Sequence, residues 1–301
     1  MTLIVSEHRS CGHCGRRTRY AESLGGAVCG DTALDFRLSA IVGEAPPSDM
    51  VHRCEHCGYC WPDIQEPSHP RTQGILESEG YRQLLADAGL PEVARNLRAQ
   101  ALLQRELGQW ARAALSMLGA AWAMDDAAHD RARAAPGAAG GADAPAVLSA
   151  AQAASLASAF RDEAVALLQQ AHELGQTIQA EPDRDQVMLV DMLRRCGRFD
   201  EAVHLARALL SPGRGYRWNV QVADGIRLGW LLAAAGSTRC ASFRQAVLRR
   251  REAGGQPVTA LAGTPPAAVR PGGPAGQLEV DILLDIPAAE TPEPHQAEAA
   301  A

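Results

Sequence analysis

The stretch Cys11-Gly12-His13-Cys14-Gly15 is nearly repeated by Cys54-Glu55-His56-Cys57-Gly58, and this pair of motifs decides the fold of the N-terminal part of the chain. Each C-x-x-C turn brings two sulfurs within reach of one ion, and the glycine after it suits a tight turn because glycine accepts positive φ. Two such turns complete a tetrahedral shell of four thiolates at about 2.3 Å, which leaves no position for water. Zinc occupies such shells more often than iron. We therefore predict a structural Zn²⁺ ion, and its ligands are Cys11, Cys14, Cys54 and Cys57.

Two other cysteines and two histidines near these motifs leave the ligand set open. Cys29 and Cys60 lie outside the repeated pattern; we favour a free thiol for each, and the alternatives are ligand replacement or a thiol pair. His13 and His56 lie between ligand cysteines, where we expect them to face solvent. The interval between the motifs exceeds the usual ribbon spacing of about 15–20 residues, and a redox dithiol is the alternative for a single C-x-x-C.

The composition favours closely packed helices and excludes several kinds of enzyme. Only 4% of the residues are aromatic, so the core must be built from Ala, Leu and Val, which suits helices better than a sandwich or barrel. All 29 basic residues are arginine, which removes the P-loop, Schiff-base and kinase-type lysines. Metalloprotease, hydrolase-elbow and zinc-deaminase motifs are also missing from the sequence. We therefore expect no catalytic activity.

The charge distribution and the apolar stretches indicate the surroundings of the chain. A net charge of −6 argues against a protein that coats nucleic acid, and residues 252–301 hold one arginine against seven acids. The longest apolar stretches, around 113–124 and 228–235, are shorter than the span of about 20 residues that a membrane helix needs. No signal sequence is visible, and reduced cysteines in metal-type spacing indicate a cytoplasmic protein.

The sequence predicts a mainly α fold in three parts. These are a zinc-ribbon-like module with short strands at 1–71, a helical domain at 72–251 and a disordered, acidic tail at 252–301. The helical pattern begins at Ile75, a break is expected near Phe160, and Pro, Gly and Ala predict a flexible loop at 136–145. We expect helices near residues 75–88, 91–107, 109–135, 147–180, 187–196, 199–211, 218–235 and 243–250.

An internal repeat lies at two predicted helix junctions. Gly108-Gln-Trp110 followed by Ala113 aligns with Gly197-Arg-Phe199 followed by Ala202. Glycine allows a close turn, the aromatic ring fills the space between antiparallel helices, and alanine lets the helices approach. This matches the central part of the tetratricopeptide (TPR) pattern, although the first copy lacks the proline near the repeat end. We therefore predict a TPR-like antiparallel array, and a generic helical hairpin is the alternative.

One apolar segment lies within the predicted tail. Leu278–Ile286 alternates acidic and apolar residues in surroundings rich in Pro, Ala, Gly and Glu. Such a segment adds a strand to a partner's edge or docks on the chain's own groove. The alternative is a disordered segment that is apolar by chance, and the sequence does not decide between these interpretations.

The order of these motifs resembles a bacterial family of uncharacterised proteins, catalogued as a domain of unknown function. The order is C-x-x-C, a D-x-D-like loop, C-x-x-C-G-Y, a Pro-Asp step, AAW-x-x-DD and D-x-L-R-R-x-G-R-F-D-E-A. The resemblance covers roughly residues 10–245 and implies a Cys-rich zinc module joined to TPR-like helices, with no established activity. The chain departs from the pattern at Ala33, where the loop's first acid is expected, and in the insertion at 136–145. The matching residues are Cys11, Cys14, Asp35, Arg37, Cys54, Cys57, Gly58, Tyr59, Pro62, Asp63, Ala120, Ala121, Trp122, Asp125, Asp126 and those at 191–202.

A zinc-stabilised, TPR-like scaffold that binds a protein or peptide partner is the function that these features favour. TPR-like arrays expose a concave face suited to such binding. Asp125-Asp126 and Arg194-Arg195 are candidate contacts in that groove, and the alternative is a solvated face or a surface ion pair. The partner's identity and the oligomeric state are not predicted.

Two alternative functions remain. A zinc-ribbon factor associated with nucleic acid or transcription is supported by the basic cluster Arg16, Arg17 and Arg19. The excess of acids over arginines in residues 1–71 weakens the attraction to phosphates. A thiol redox protein that uses Cys11 and Cys14 is the second alternative.

Overall fold

The computed structural model describes residues 3–24, 32–37, 50–133, 148–180, 182–211 and 220–252. All of these residues belong to one compact unit, Met1–Pro257. Within them the chain is mainly helical, which confirms the predicted fold class. The predicted loop 136–145, the tail after Glu252 and Cys29 lie outside the described residues, so the predictions made for them stay predictions.

Two pairs of strands precede nine α-helices in the described part of the chain. The strands are β1 Leu3–Ser10, β2 Arg17–Leu24, β3 His52–Arg53 and β4 Cys60–Trp61. The helices are α1 Thr72–Glu77, α2 Glu79–Ala86, α3 Glu92–Glu106, α4 Trp110–Arg133, α5 Ala150–Glu173, α6 Pro182–Arg195, α7 Phe199–Leu210, α8 Val220–Ala234 and α9 Phe243–Glu252. No helix among them combines the length and apolar character needed to cross a membrane.

Each C-x-x-C-G motif forms the loop of an antiparallel hairpin. Strands β1 and β2 pair from Leu3 opposite Leu24 to Ser10 opposite Arg17, with the first motif between them. Strands β3 and β4 pair in the same way around the second motif. The sequence predicts short strands within residues 1–71 without their positions, and the structure places one on each side of each motif.

Two helix boundaries differ from the prediction for clear physical reasons. The first predicted helix is split at Ser78, whose extended backbone ends α1 and whose hydroxyl accepts from the Tyr81 N–H at 3.3 Å to cap α2. The predicted break near Phe160 is wrong, because α5 continues through it. Helix α5 begins with a reciprocal capping box between Ser149 and Gln152 and contains neither glycine nor proline.

The predicted sequence repeat corresponds to a repeated turn geometry. Gly108 and Gly197 both have φ of 79°, a conformation that costs glycine little. At each turn the glycine N–H donates to the carbonyl three residues earlier, and the following N–H donates to the carbonyl five residues earlier, at 2.8–3.0 Å. This is the Schellman helix end. It joins α3 to α4 and α6 to α7, so the repeated residues encode two alike helix–turn–helix units.

Helices α4 and α5 are antiparallel, and both bury several alanine side chains. The Gln176 amide donates to the Gly108 carbonyl at 2.9 Å beside the start of α4, and Arg161 pairs with Asp125 farther along it. These alanines are almost fully buried, in keeping with the predicted core of alanine and aliphatic side chains. The buried alanines are Ala113, Ala114, Ala120, Ala121, Ala153, Ala157, Ala164 and Ala171.

The Cys-rich hairpins and the helices share one hydrophobic core. Cys11, Tyr59 and Trp61 belong to the same buried cluster as Leu97 and Leu118 of the helices. The described residues of 1–71 are therefore packed on the helices rather than held apart by a linker. A change at the hairpins is expected to affect the stability of the helical core as well.

Candidate metal centre

The two C-x-x-C-G loops have the same backbone geometry. In each loop the N–H of the first cysteine donates to the carbonyl five residues later, at 2.9 Å in both loops. The glycine N–H donates back to the carbonyl of the first cysteine, at 2.8 Å in one loop and 2.9 Å in the other. Gly15 and Gly58 have φ of 72° and 75°, which a residue with a Cβ rarely adopts. The short C-x-x-C-G motif, with its one glycine, therefore shapes each loop.

The two loops bring four sulfurs together at the spacing of a metal shell. The Sγ atoms of Cys11, Cys14, Cys54 and Cys57 all lie within 4.8 Å of one another. The distance is 3.8 Å from Cys11 to Cys57 and 3.7 Å from Cys14 to Cys54. A tetrahedron with metal–sulfur bonds of about 2.3 Å has sulfur–sulfur edges of about 3.8 Å. A disulfide has a bond of about 2.05 Å, so the spacing fits ion ligands and not a disulfide.

The local environment perturbs the protonation of three of these thiols. Burial raises the pKa of the Cys11 and Cys57 thiols above the ordinary value of a cysteine. At Cys14 burial acts in the same direction, but the Arg16 N–H and the neighbouring thiols outweigh it, and the pKa of Cys14 is lowered. Metal binding requires all four sulfurs as thiolates. Loading the site therefore releases protons, and binding is expected to weaken as the pH falls.

Cys60 lies near the four sulfurs but does not belong to the cluster. Its side chain is fully buried, and its thiol donates to the Gly58 carbonyl at 3.4 Å. Burial raises the pKa of the Cys60 thiol to about 12, so it stays a neutral thiol. The structure places Cys60 in the core beside the second loop, as a free cysteine.

Neither histidine between the cysteines belongs to the four-sulfur cluster. His13 contacts the Ser68 hydroxyl through Nδ1 at 2.9 Å and the Gln73 side-chain oxygen through Nε2 at 2.7 Å. His56 donates from Nε2 to the Arg17 carbonyl at 3.0 Å. Both imidazoles thus tie their own loop to a neighbouring segment.

Two further hydrogen bonds and one close backbone approach hold the loops against the segment that follows β4 and against α2. The Gly12 N–H donates to the Ile64 carbonyl at 2.7 Å. A Cβ at Gly12 would lie 1.9 Å from the Glu66 carbonyl oxygen, so only glycine fits there. Tyr81 on α2 donates to the Gly58 carbonyl at 2.9 Å. The sequence analysis did not single out Gly12 or Tyr81, because their roles depend on segments far away in the chain.

A second cluster of ionisable side chains joins residues 32–37 to helices α4, α5 and α6. Asp35 is fully buried and accepts from Trp122 Nε1 at 2.8 Å and from Arg195 Nη1 at 2.7 Å. Arg195 also donates to Asp125 at 2.8 Å. We call these residues, together with Arg161 on Asp125 and the nearby pairs Arg37–Asp126 and Arg194–Asp191, the buried ion network. Its side chains are buried or nearly so, except Asp125 and Asp126, which are 26% and 43% exposed. The members are Asp35, Asp125, Asp126, Asp191, Arg37, Arg161, Arg194 and Arg195.

The buried ion network changes the interpretation of Asp125-Asp126 and Arg194-Arg195. Arg194 is fully buried and donates to Asp191 and to the carbonyls of Ser237 and Arg239. Asp125 and Asp126 each accept from arginines of this network. The alternative of a solvated face is therefore wrong for Arg194, which is buried, whereas Asp126 is 43% exposed and pairs with Arg37, as the ion-pair alternative expects. The groove contact stays a prediction. The motifs that carry the family resemblance contain most residues of this network, but the sequence does not show that these side chains pair with one another.

The basic cluster Arg16, Arg17 and Arg19 is exposed next to the first loop. Arg17 and Arg19 are two apart on β2, so they share one face of the strand. Arg17 also donates to the His8 carbonyl at 3.4 Å. A nucleic-acid-binding protein, the first alternative function, requires an exposed basic surface of this kind.

No family model, curated protein or solved structure matches the chain. The resemblance to a bacterial family therefore stays a prediction, and the geometry above carries the functional argument.

Proposed function

We propose that the chain is a zinc-stabilised, TPR-like helical scaffold in the cytoplasm that binds a protein or peptide partner and performs no catalysis. The single observation that supports the metal part most strongly is the sulfur spacing of 3.7 and 3.8 Å, which matches the edge of a zinc–thiolate tetrahedron. Four protein ligands saturate a tetrahedral ion, so the ion acts as a structural cross-link and not as a Lewis acid.

The position of the four cysteines supports a structural role for the ion. The two loops are separated by a long interval in the chain, and both belong to hairpins that pack on the helical core. In isolated zinc-finger peptides a structural zinc contributes about 10–16 kcal/mol of apparent binding free energy, much of which appears as folding free energy. An ion at this position connects the first hairpin to the second and, through Tyr81, to α2.

Metal content tests this part of the proposal. We expect one zinc per chain in the purified wild type by native mass spectrometry, and loss of both the zinc and several degrees of thermal stability in Cys54→Ser. Cys60→Ser is the matched control, because Cys60 is equally buried beside the same loop but lies outside the four-sulfur cluster. Equal zinc in wild type and Cys54→Ser would contradict the proposed ligand set.

An exposed apolar side chain on α8 supports the binding role. Among the described residues, the exposed large apolar side chains are Leu174, Val220 and Leu231. Leu231 follows Trp230, a half-buried indole with the Arg207 guanidinium 5.8 Å from its ring centroid. Tryptophan and arginine are the residues most often found at the centres of protein interfaces. We assign the partner contact to Leu231 and Trp230.

Partner capture with matched variants tests the binding role. Zinc-loaded protein used as bait is expected to retain a protein from lysate, and Leu231→Gln is expected to reduce that retention several-fold. Leu174→Gln is the control, because Leu174 is 53% exposed at the C-terminal cap of α5, whereas Leu231 is 39% exposed on α8. Salt-sensitive retention of DNA or RNA that Arg17→Gln weakens would instead favour the nucleic-acid alternative.

A further inference from the structure

An open cavity of about 290 Å³ lies beside the second loop, and one of the four clustered cysteines lines it. Its lining includes Cys57, Gln73, Glu77, Tyr81 and Leu85, and the other three clustered cysteines are not part of it. Cys11 and Cys54 are buried, whereas Cys14 and Cys57 are half-buried, and of these two only Cys57 lines the cavity. A small reagent that enters this cavity therefore meets the sulfur of Cys57 first.

We infer that Cys57 is an oxidative modification site, at which hydrogen peroxide starts formation of a Cys11–Cys57 disulfide that dismantles the metal centre. The inference rests on the metal binding proposed above. A metal-bound cysteine is a thiolate, and the thiolate is the form that reacts with peroxide. Cys57 therefore offers exposure and nucleophilic character together in the loaded protein.

The sulfur geometry identifies Cys11 as the partner. The Cys11 sulfur lies 3.8 Å from the Cys57 sulfur and belongs to the other loop. A disulfide bond is about 2.05 Å long, so the two loops must move together by less than the diameter of an atom. Cys11 is buried, so it is protected from direct attack and remains a thiolate until Cys57 has reacted.

The two steps balance with one peroxide as the oxidant. The Cys57 thiolate attacks one peroxide oxygen, the O–O bond breaks, and hydroxide leaves, which gives a sulfenic acid. The Cys11 thiolate then attacks the Cys57 sulfur, the S–S bond forms, the S–O bond breaks, and a second hydroxide leaves. Two electrons pass from the two thiolates to the peroxide. Only Cys14 and Cys54 are then left as thiolates, and two ligands no longer retain the ion.

The sequence offers a direct readout of which disulfide forms. Because all basic residues are arginine, trypsin places Cys11 and Cys14 in peptide 10–16 and Cys54, Cys57 and Cys60 in peptide 54–71. A Cys11–Cys57 disulfide joins these two peptides, whereas a disulfide within one loop does not. Fragmentation of the joined pair identifies the cysteines, and Cys60→Ser is expected to leave the joined pair in place.

Two glutamate variants test the role of the cavity. Glu77 and Glu79 are both exposed, and each accepts from a glutamine of its own helix, but only Glu77 lines the cavity. Glu77→Trp places a larger side chain at the cavity and is expected to slow peroxide-driven zinc release several-fold. Glu79→Trp is the control and is expected to release zinc at the wild-type rate.

The experiment titrates the zinc-loaded full chain with hydrogen peroxide and follows released zinc with a chelating dye. We expect one zinc released per peroxide consumed, together with a Cys11–Cys57 disulfide that joins peptides 10–16 and 54–71. Retention of zinc, a disulfide other than Cys11–Cys57, or equal rates in Glu77→Trp and Glu79→Trp would overturn the inference while leaving the zinc site intact. A chain that carries no zinc before peroxide is added would overturn the proposed function itself.

Discussion

Asp35 is the residue at which the segment 32–37 meets the helices. Its carboxylate is fully buried and bonds to Trp122 and Arg195. Burial alone raises the pKa of a carboxyl, but the charges of Arg195 and Arg161 outweigh it and lower the pKa of Asp35. A carboxyl whose pKa is lowered on folding adds stability above its unfolded pKa, and this stability is lost as the pH falls through the folded pKa.

Asp35→Asn is therefore expected to destabilise the fold strongly. The substitution keeps the shape but leaves the buried Arg195 with one acid fewer, and breaking a buried pair costs about 3–5 kcal/mol. Urea unfolding measures the loss, which should also remove part of the acid sensitivity of the wild type. Asp162→Asn is the control, because Asp162 pairs with Arg198 at the surface and is 58% exposed. A loss of unfolding free energy no larger than that of the control would show that the network contributes little to stability.

At the scale of single elements, the first loop docks on the segment after β4 through its backbone. The Gly12 N–H bonds to Ile64, and the Glu66 carbonyl occupies the space that a side chain at position 12 would need. The His13 side chain adds a contact to Ser68 in the same segment. The second loop is held by the Tyr81 hydroxyl. Two loops of the same internal geometry are thus held by different neighbours in the fold.

Gly12→Ala is expected to weaken the metal centre without changing any ligand. The added methyl group would lie 1.9 Å from the Glu66 oxygen, so the loop must move away from its support. Overpacking of this kind costs about 1–3 kcal/mol, and zinc affinity measured by competition with a chelator should fall with it. Gly74→Ala in α1 has open space around the new methyl group. It should leave zinc affinity unchanged, and an equal fall in both variants would refute the docking argument.

At the scale of the whole molecule, we expect the hairpins and the helices to unfold as one cooperative unit. Cys11, Tyr59 and Trp61 share a core with the helices, so metal loss is expected to lower the stability of the entire unit. The buried ion network adds a second set of cross-links. In it, Arg194 binds the segment before α9 through the Ser237 and Arg239 carbonyls.

Acidification is expected to release zinc and loosen the helices together. Protons compete with the ion for up to four thiolates, so the fraction of zinc released should rise steeply as the pH falls. Burial raises the pKa of the Cys11 and Cys57 thiols, so proton competition begins at a higher pH than at exposed thiols. A single pH titration checks this, in which a chelating dye reports the released zinc and circular dichroism reports the helix content. Zinc release that precedes helix loss by a wide pH interval would contradict a single cooperative unit.

The sequence by itself determined the features that depend on a few neighbouring residues. A C-x-x-C-G motif shapes its own loop, because one glycine with positive φ and two backbone hydrogen bonds suffice. Gly108 and Gly197 end their helices by local geometry as well. The helical periodicity predicted most of the helices, although local patterns misplaced a break at Phe160.

Only the tertiary structure decided which distant groups meet. It left Cys60 outside the sulfur cluster and placed Arg195 on Asp35, which is 160 residues away in the chain. Charged side chains in a sequence usually indicate a surface, since an unpaired charge is costly to bury. Here Asp35 and Asp125 pair with Arg161 and Arg195 from other segments of the chain, and that compensation exists only once the helices have packed.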